Sequence, residues 1–265
     1  MSLSVPYWHV DAFASRAFAG NQAAVMLLEE WLDDSALQAI AAENMFAETA
    51  FLVADASGAG EWELRWFTPE LEVRLCGHAT LASGHVLLGR DPLLERVRLR
   101  TRQAGVLEVR RQGAGYEVAL PLIPSAPGTW DEAAALLGQP SEVWRSSDGH
   151  YNVFRYVSER EVRALAPDFR VLAAFGDVQF IVTATGETAD VVSRVFVPGC
   201  GVNEDSVTGS AHAVLTPFWA DRLGRESFTA FQASTRGGHL TCRRDGSSAW
   251  LGGACVTVVE GTFYL

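Results

Sequence analysis

Short apolar segments alternate with turn-forming residues along most of the chain, a pattern typical of paired β-strands. Residues 49–54 and 62–68 are rich in β-branched and aromatic side chains and flank a glycine-containing turn, which predicts a strand pair. The stretch 78–88 is apolar on all sides and stops at Gly89, which predicts a buried helix. Further strands are predicted at residues 96–102, 106–111 and 115–120.

A second buried helix is predicted in the other half of the chain. Residues 210–223 are again mostly apolar and are followed by Gly224, a residue that commonly ends helices. Residues 35–38 and 158–161 have the pattern of a capping box, with a serine followed three residues later by Gln or Glu. They predict the starts of two amphipathic helices, one before each strand pair.

The two halves carry matching segments in the same order, which indicates an internal duplication. Gly77-His78-Ala79 matches Gly209-Ser210-Ala211 at an offset of 132 residues, and the segment beginning at Thr101 matches the one beginning at Thr235. Four further positions match at an offset of 129 residues: Phe51, Arg65, Phe67 and Pro69 with Phe180, Arg194, Phe196 and Pro198.

The duplication predicts an α+β fold of two pseudo-twofold-related lobes, each a curled, mainly antiparallel sheet around a central helix. The expected lobes are residues 1–121 and 122–265, with the alternative that the last strand crosses back to the first lobe left open. The segment 121–128, rich in Pro and Ser, is predicted to be the linker.

Composition narrows the class of protein and of partner. The chain has 265 residues, of which 48% are apolar and 20% charged, and no apolar run approaches the ~20 residues of a membrane span. A net charge of −11 argues against a nucleic-acid partner. No signal peptide is recognised, and four widely spaced cysteines indicate reduced thiols, so a cytoplasmic protein without disulfides or a zinc site is expected.

In a duplicated protein, the junction of the two halves is the expected place for a site. The two central helices would point their N-termini at one spot, where free N–H groups and partial positive charge hold a carboxylate. Gly77 and Gly209 would let a ligand approach the backbone closely. Together with Cys76 and Thr208, which precede them, they form the predicted substrate-binding set for a small anionic substrate.

Reactive residues appear where the two copies diverge. His78 stands at the start of the first central helix, Asp205 and Ser210 stand around the start of the second, and Glu48 falls opposite Asp177. Such groups suit general acid–base catalysis, and a buried histidine at a helix N-terminus should resist protonation.

Structural alternatives stand beside this interpretation. Glu48 could pair with an arginine, Asp205 and Ser210 could cap a helix, and His78 and Cys76 could be core residues. The histidines show no metal-ligand spacing beyond a weak pair formed by His78 and His85, so no metal is predicted.

Several motifs resemble the phenazine-biosynthesis (PhzF-like) family over nearly the whole chain. In the first half they are Val10-Asp11-Ala12-Phe13, Phe18-Ala19-Gly20-Asn21-Gln22, Ala47-Glu48-Thr49-Ala50-Phe51, Arg65-Trp66-Phe67-Thr68-Pro69 and Leu75-Cys76-Gly77-His78-Ala79-Thr80. In the second half they are Glu204-Asp205-Ser206-Val207-Thr208-Gly209-Ser210-Ala211-His212 and Gln232-Ala233-Ser234-Thr235-Arg236-Gly237-Gly238.

The resemblance implies a diaminopimelate-epimerase-like fold, a homodimer, and an isomerase with neither metal nor organic cofactor, acting in the cleft between the lobes. In the best-understood members, a glutamate moves a proton between carbons of a dihydro-hydroxyanthranilate. That glutamate falls on Glu48, and the supporting residues fall on His78, Asp205 and Ser210. Backbone amides near Gly77 and Gly209 would bind the carboxylate of a small substrate.

Two departures from the family pattern bear on the function. Ser206 stands where proline is usual, and no cysteine lies within 201–215, so the two-thiol mechanism of related racemases is not expected. The leading hypothesis is an isomerase that shifts a proton within a small carboxylic acid. A racemase or epimerase that uses a carboxylate and the thiol of Cys76, and a non-catalytic binder of small acids, are the alternatives.

Overall fold

The chain divides into two structural units in a computed structural model that describes residues 4–265. Unit 1 comprises residues 4–120 and Gly252–Leu265, and unit 2 comprises Pro121–Leu251. The C-terminal strand therefore belongs to unit 1, the alternative that the sequence had left open. Within the described residues, none of the helices combines the length and apolar character that a membrane span requires.

Unit 1 is a mainly antiparallel sheet with two helices. Its strands are β1 (Ser4–Ala12), β2 (Asn21–Leu27), β3 (Glu48–Ala54), β4 (Trp62–Phe67), β5 (Glu72–Val73), β6 (Arg96–Thr101), β7 (Val106–Gln112), β8 (Gly115–Pro121) and the C-terminal strand (Cys255–Tyr264). Its helices are α1 (Asp34–Asn44) and α2 (Gly77–Arg90). The parallel pairs are β2–β3, connected through α1, and β4–β6, connected through α2.

Unit 2 contains the elements between β8 and the C-terminal strand. Its strands are β9 (Ser125–Gly128), β10 (Glu142–Ser146), β11 (Tyr151–Arg155), β12 (Gln179–Thr185), β13 (Val191–Val197), β14 (Val202–Asp205), β15 (Ser227–Gln232), β16 (Gly238–Asp245) and β17 (Ser248–Gly253). Its helices are α3 (Asp131–Leu136), α4 (Glu159–Ala164), α5 (Phe169–Ala173) and α6 (Gly209–Leu223), together with a 3-10 turn at Pro198–Cys200. The C-terminal strand after β17 is β18.

The two units share one pairing plan, which confirms the internal duplication and the α+β class. In unit 1 the order β18–β1–β2–β3–β4–β6–β7 has parallel pairs only at β2–β3 and β4–β6. In unit 2 the order β9–β10–β11–β12–β13–β15–β16 has parallel pairs at the corresponding places, β11–β12 and β13–β15. Helices α2 and α6 begin at Gly77 and Gly209, the pair expected to match.

The register of the strands corrects one predicted equivalence. Phe51 lies opposite Arg65 in the β3–β4 pair, whereas Val182 lies opposite Arg194 in the β12–β13 pair. Because the two arginines match, Phe51 corresponds to Val182 and not to Phe180. The turn between the two strands is longer in unit 1, so the first strand of the pair has an offset of 131 and the second an offset of 129.

Helix boundaries depart from the sequence prediction in several places. Helix α2 continues through Gly89 to Arg90, and α1 begins at Asp34, so the capping box at residues 35–38 is wrong. Ser158 does cap α4, where its side chain accepts a hydrogen bond from the backbone N–H of Glu161. Helix α6 ends before Gly224, as expected. The predicted linker 121–128 is only partly a linker, because its last four residues form β9.

Strand β7 is one of several strands that pack directly against the buried helix α2. A Cβ atom placed on Gly84 would lie 2.2 Å from Val109 Cγ1, a distance that no side chain tolerates. Gly84 therefore lets the helix and the strand approach closely. Gly89, five residues further along the same helix, faces open space instead.

Replacing Gly84 by alanine is expected to lower the free energy of unfolding by about 1–3 kcal/mol, because overpacking outweighs the gain in helix propensity. Gly89→Ala is the matched control and is expected to stabilise by roughly 0.5–1 kcal/mol. Urea unfolding of both variants measures the difference. The double variant Gly84→Ala/Val109→Ala should recover part of the loss, and equal effects of the two glycine substitutions would contradict the packing argument.

Candidate active site

Three of the predicted site residues come together in unit 1. Glu48 is the first residue of β3, Cys76 immediately precedes α2, and His78 is the second residue of that helix. Helix α1 ends at Met45 in a left-handed conformation (φ 54°), and this turn directs the chain into β3. Cys76 and His78 are buried, whereas the side chain of Glu48 retains 18% of its exposure. Oε2 of Glu48 is itself buried, so the exposed fraction belongs to the rest of this side chain.

The contacts within this group are short. Glu48 Oε2 lies 3.1 Å from His78 Nε2, at ion-pair distance but without the alignment of a hydrogen bond. Cys76 Sγ lies 3.5 Å from His78 Nδ1. Glu48 forms its ion pair with a histidine, so the alternative of an arginine-bound structural glutamate is wrong. His85 instead contacts Thr257 Oγ1 at 2.8 Å, so the weak metal pair with His78 does not form.

The electrostatics of the group depend on burial and on Glu48. Burial lowers the pKa of His78, but the charges of Cys76, when it is ionised, and of Glu48 outweigh burial and raise it well above its usual value. Burial also raises the pKa of Cys76 to about 11, so the thiol is neutral at pH 7. The raised pKa of His78 runs against the expectation that a buried histidine at this helix N-terminus resists protonation.

Asn21 belongs to the same group, although it was not among the predicted site residues. Its Nδ2 lies 3.1 Å from His78 Nδ1, on the side of the ring opposite Glu48. The loop before it is fixed by Gly20, in a left-handed conformation (φ 64°), and by a 2.7 Å hydrogen bond from the Phe18 backbone N–H to Asp11 Oδ2. The only sequence signal was the motif around Gly20, which marks a turn and not a contact with His78.

A second polar group forms in unit 2 around the start of α6. Thr208 is the N-cap residue, and its hydroxyl donates a 2.6 Å hydrogen bond to Asp205 Oδ2. The buried amide of Gln232 fixes both residues, since Oε1 accepts from the Thr208 backbone N–H at 2.8 Å and Nε2 donates to the Asp205 carbonyl at 2.8 Å. Neither Asp205 nor Ser210 is the N-cap, so the capping alternative does not account for them.

Ser210 contacts Gln179, which lies two positions after Asp177, the residue that the comparison of the two halves had matched with Glu48. Gln179 begins β12 as Glu48 begins β3, and its Nε2 donates to Ser210 Oγ at 3.2 Å. Ser210 in turn occupies the helix position of His78. The partner of Glu48 in the repeat is therefore Gln179, and the predicted partner Asp177 is a surface residue that accepts a hydrogen bond from the Cys200 thiol.

The two groups thus occupy corresponding positions but differ in charge. Unit 1 holds a carboxylate and an imidazole where unit 2 holds an amide and a hydroxyl. Gly77 and Gly209 are buried first residues of their helices. A carboxylate-binding role for their backbone amides, and the cleft between the lobes, stay predictions.

A second buried histidine, in α6, is structural. His212 is fully buried in α6, with Nδ1 2.8 Å from the carbonyl of Thr208 and Nε2 3.3 Å from Ser193 Oγ. Burial lowers its pKa to about 4. At the corresponding position of α2, Thr80 donates to the carbonyl of Cys76, so this place in the helix serves a backbone contact in both units.

His212 is expected to make the protein sensitive to acid. Its folded-state pKa of about 4 lies below the unfolded value of ~6.5, so its contribution is present above pH ~6.5 and is lost as the pH falls toward 4, by about 3 kcal/mol in total. His212→Thr, which installs the residue found in α2, should flatten this dependence.

Urea unfolding at pH 7 and pH 4.5 measures the effect, with the exposed His239→Gln as control. If the free energy of unfolding of His212→Thr falls between pH 7 and pH 4.5 by as much as that of the wild type, His212 is not the source of the acid sensitivity.

Comparison with known proteins identifies the family of this chain. The family model described as "Phenazine biosynthesis-like protein" matches residues 10–261. An uncharacterized isomerase of Pseudomonas aeruginosa is 44% identical over 266 residues, which cover 99% of this chain and 100% of that protein. A crystal structure of a PhzF-family phenazine biosynthesis protein from Enterococcus faecalis superposes with a TM-score of 0.90 at 40% identity, covering 99% of this chain and 100% of that one.

A more distant structure bears on the fold alone. A predicted epimerase of Pseudomonas aeruginosa matches with a TM-score of 0.73 at 20% identity, over 98% of this chain and 99% of that one. The fold is thus of the diaminopimelate-epimerase-like type. The chain belongs to the phenazine biosynthesis-like protein family, which confirms the resemblance carried by its motifs.

Proposed function

We propose that this protein is a cofactor-independent isomerase that moves a proton within a small carboxylic acid, with Glu48 as the proton carrier. The observation that carries the proposal is the position of Glu48 Oε2, which is buried 3.1 Å from His78 Nε2 while the rest of the side chain stays partly exposed. The curated relative named as an isomerase supports the reaction class.

The geometry suits a carboxylate that both accepts and returns a proton. The imidazole of His78 lies at ion-pair distance from Glu48, whose carboxylate can accept a proton from a substrate carbon. When Glu48 holds the proton, its carboxyl group can return it to a second carbon of the same molecule. Because the side chain of Glu48 keeps part of its exposure while His78 is buried, the substrate meets the carboxylate first.

Unit 2 is proposed to contribute polar contacts without a proton carrier. Asp205 and Ser210 would orient the substrate, and Thr208 would hold Asp205 through the 2.6 Å hydrogen bond between their side chains. The backbone amides at Gly77 and Gly209 would bind the substrate carboxylate, since helix N-termini favour anions. The active protein is proposed to be a homodimer, on the family expectation.

Deuterium uptake from heavy water tests the reaction class before the substrate is known. The protein is incubated in heavy water with a panel of small unsaturated, aromatic and amino carboxylic acids, and mass spectrometry detects exchange at carbon. We expect exchange with at least one acid in the wild type and none with Glu48→Gln. Exchange of equal rate in both proteins would overturn the role of Glu48.

The racemase alternative would use the thiol of Cys76 as a second base. The thiol is close to His78, but burial raises its pKa to about 11, which opposes the thiolate that such a mechanism needs. A strong loss of exchange in Cys76→Ser with little loss in Glu48→Gln would favour this alternative over the isomerase.

A further inference from the structure

The group around His78 contains three potential metal ligands, a feature that proton transfer does not require. A carboxylate oxygen of Glu48, the sulfur of Cys76 and a ring nitrogen of His78 all lie within 4.8 Å of one another. Carboxylate, thiolate and imidazole are the three kinds of side chain that bind zinc in proteins. Glu48 is far from the other two in sequence, so no motif spacing could have revealed the set.

Zinc–ligand bonds of about 2.0–2.3 Å imply that neighbouring ligand atoms lie roughly 3.3–3.7 Å apart. His78 Nε2 lies 3.1 Å from Glu48 Oε2, close to this range. Cys76 Sγ lies 4.0 Å from Nε2 but 3.5 Å from Nδ1, so the cysteine side chain must rotate toward Nε2 to join the other two atoms on one ion. The fourth position would then remain open.

The charges of the group permit a cation in spite of the helix end. The N-terminus of α2 carries partial positive charge, which opposes a metal ion. Glu48 and an ionised Cys76 supply two negative charges that offset this effect. The soft thiolate selects Zn²⁺ and its relatives over Mg²⁺ and Ca²⁺. Because Cys76 and the protonated His78 must each lose a proton to bind, the affinity should rise with pH.

We propose that Glu48, Cys76 and His78 form an inhibitory site for Zn²⁺. The bound ion would occupy Glu48 Oε2 and His78 Nε2, which are the two atoms that the proposed proton transfer uses. Zinc would thus be an inhibitor and not a cofactor. The binding part of the proposal stands on the geometry alone, whereas the inhibitory part rests on the proposed function.

Cobalt tests the binding part without any substrate. The metal-free protein is titrated with Co²⁺, which binds such sites as zinc does and gives a near-ultraviolet charge-transfer band when a thiolate is a ligand. We expect this band in the wild type and its displacement by an equivalent of Zn²⁺. Cys76→Ser should abolish the band, and Glu48→Gln should weaken Co²⁺ binding at least ~10-fold.

Cys255→Ser is the matched control, because it removes a different thiol of unit 1 and should leave the band unchanged. Circular dichroism verifies that each variant is folded. A wild-type protein without the band, or a band that persists in Cys76→Ser, would overturn the site.

Exchange or turnover assays then test inhibition. Stoichiometric Zn²⁺ should lower the rate at least ~10-fold, and a chelator should restore it. A rate unchanged at zinc concentrations that displace Co²⁺ would overturn the inhibitory role while leaving the site in place. Failure to detect exchange with any acid contradicts the proposed function instead, and the cobalt spectrum still decides the site.

Discussion

Replacement of Glu48 by glutamine is expected to lower turnover by ~10²-fold or more while substrate affinity and folding change little. Glutamine keeps the size and shape of the side chain but cannot accept a proton at the position 3.1 Å from His78 Nε2. Steady-state kinetics on the acid identified by deuterium exchange give kcat and KM separately. A transition-state role predicts that the loss falls on kcat.

Two further variants separate chemistry from structure. Glu48→Asp keeps the carboxylate but withdraws it by one methylene group, so it should also lose activity, because proton transfer depends on close approach. Glu43→Gln removes an exposed carboxylate of α1 and is expected to retain wild-type kinetics. If Glu48→Gln keeps most of its activity, Glu48 is not the proton carrier.

Replacement of Asn21 by leucine is expected to lower turnover about 10-fold to 100-fold, because it leaves the buried Nδ1 of His78 without its amide partner. The Nδ2 amide group of Asn21 is a donor, so it can bond Nδ1 only while that nitrogen carries no proton, and the contact favours the neutral ring. Its loss should therefore raise the pKa of His78, so that the ring loses its charge at a higher pH than in the wild type.

A pH titration of the His78 ring by NMR, together with the pH profile of kcat, measures this shift. Asn21→Asp should raise the pKa of His78 further than Asn21→Leu does, because it adds a second carboxylate that can accept a hydrogen bond from the protonated ring. Gln22→Leu is the matched control, since the neighbouring amide contacts His9 and not His78. Identical titrations of His78 in Asn21→Leu, Asn21→Asp and the wild type would show that Asn21 only fills space.

Some features of the candidate site could be predicted because they are local in sequence. Cys76, Gly77 and His78 are consecutive or nearly so, and a helix start fixes their relative positions without help from distant residues. The corresponding start at Gly209 follows from the same pattern. The comparison of the two halves indicated Glu48 as a reactive residue, and the family resemblance implied its role as proton carrier, but the sequence showed none of its contacts.

The sequence by itself determined the duplication, the order of elements and the two central helices, because hydrophobic periodicity and helix-ending residues act over short stretches of chain. Only the tertiary structure decided the strand register, which aligns Glu48 with Gln179 and not with Asp177. It also brought Asn21 to His78 and gave that histidine a raised pKa. These results depend on distances between residues far apart in the chain, and such distances are set by sheet pairing and packing rather than by local pattern.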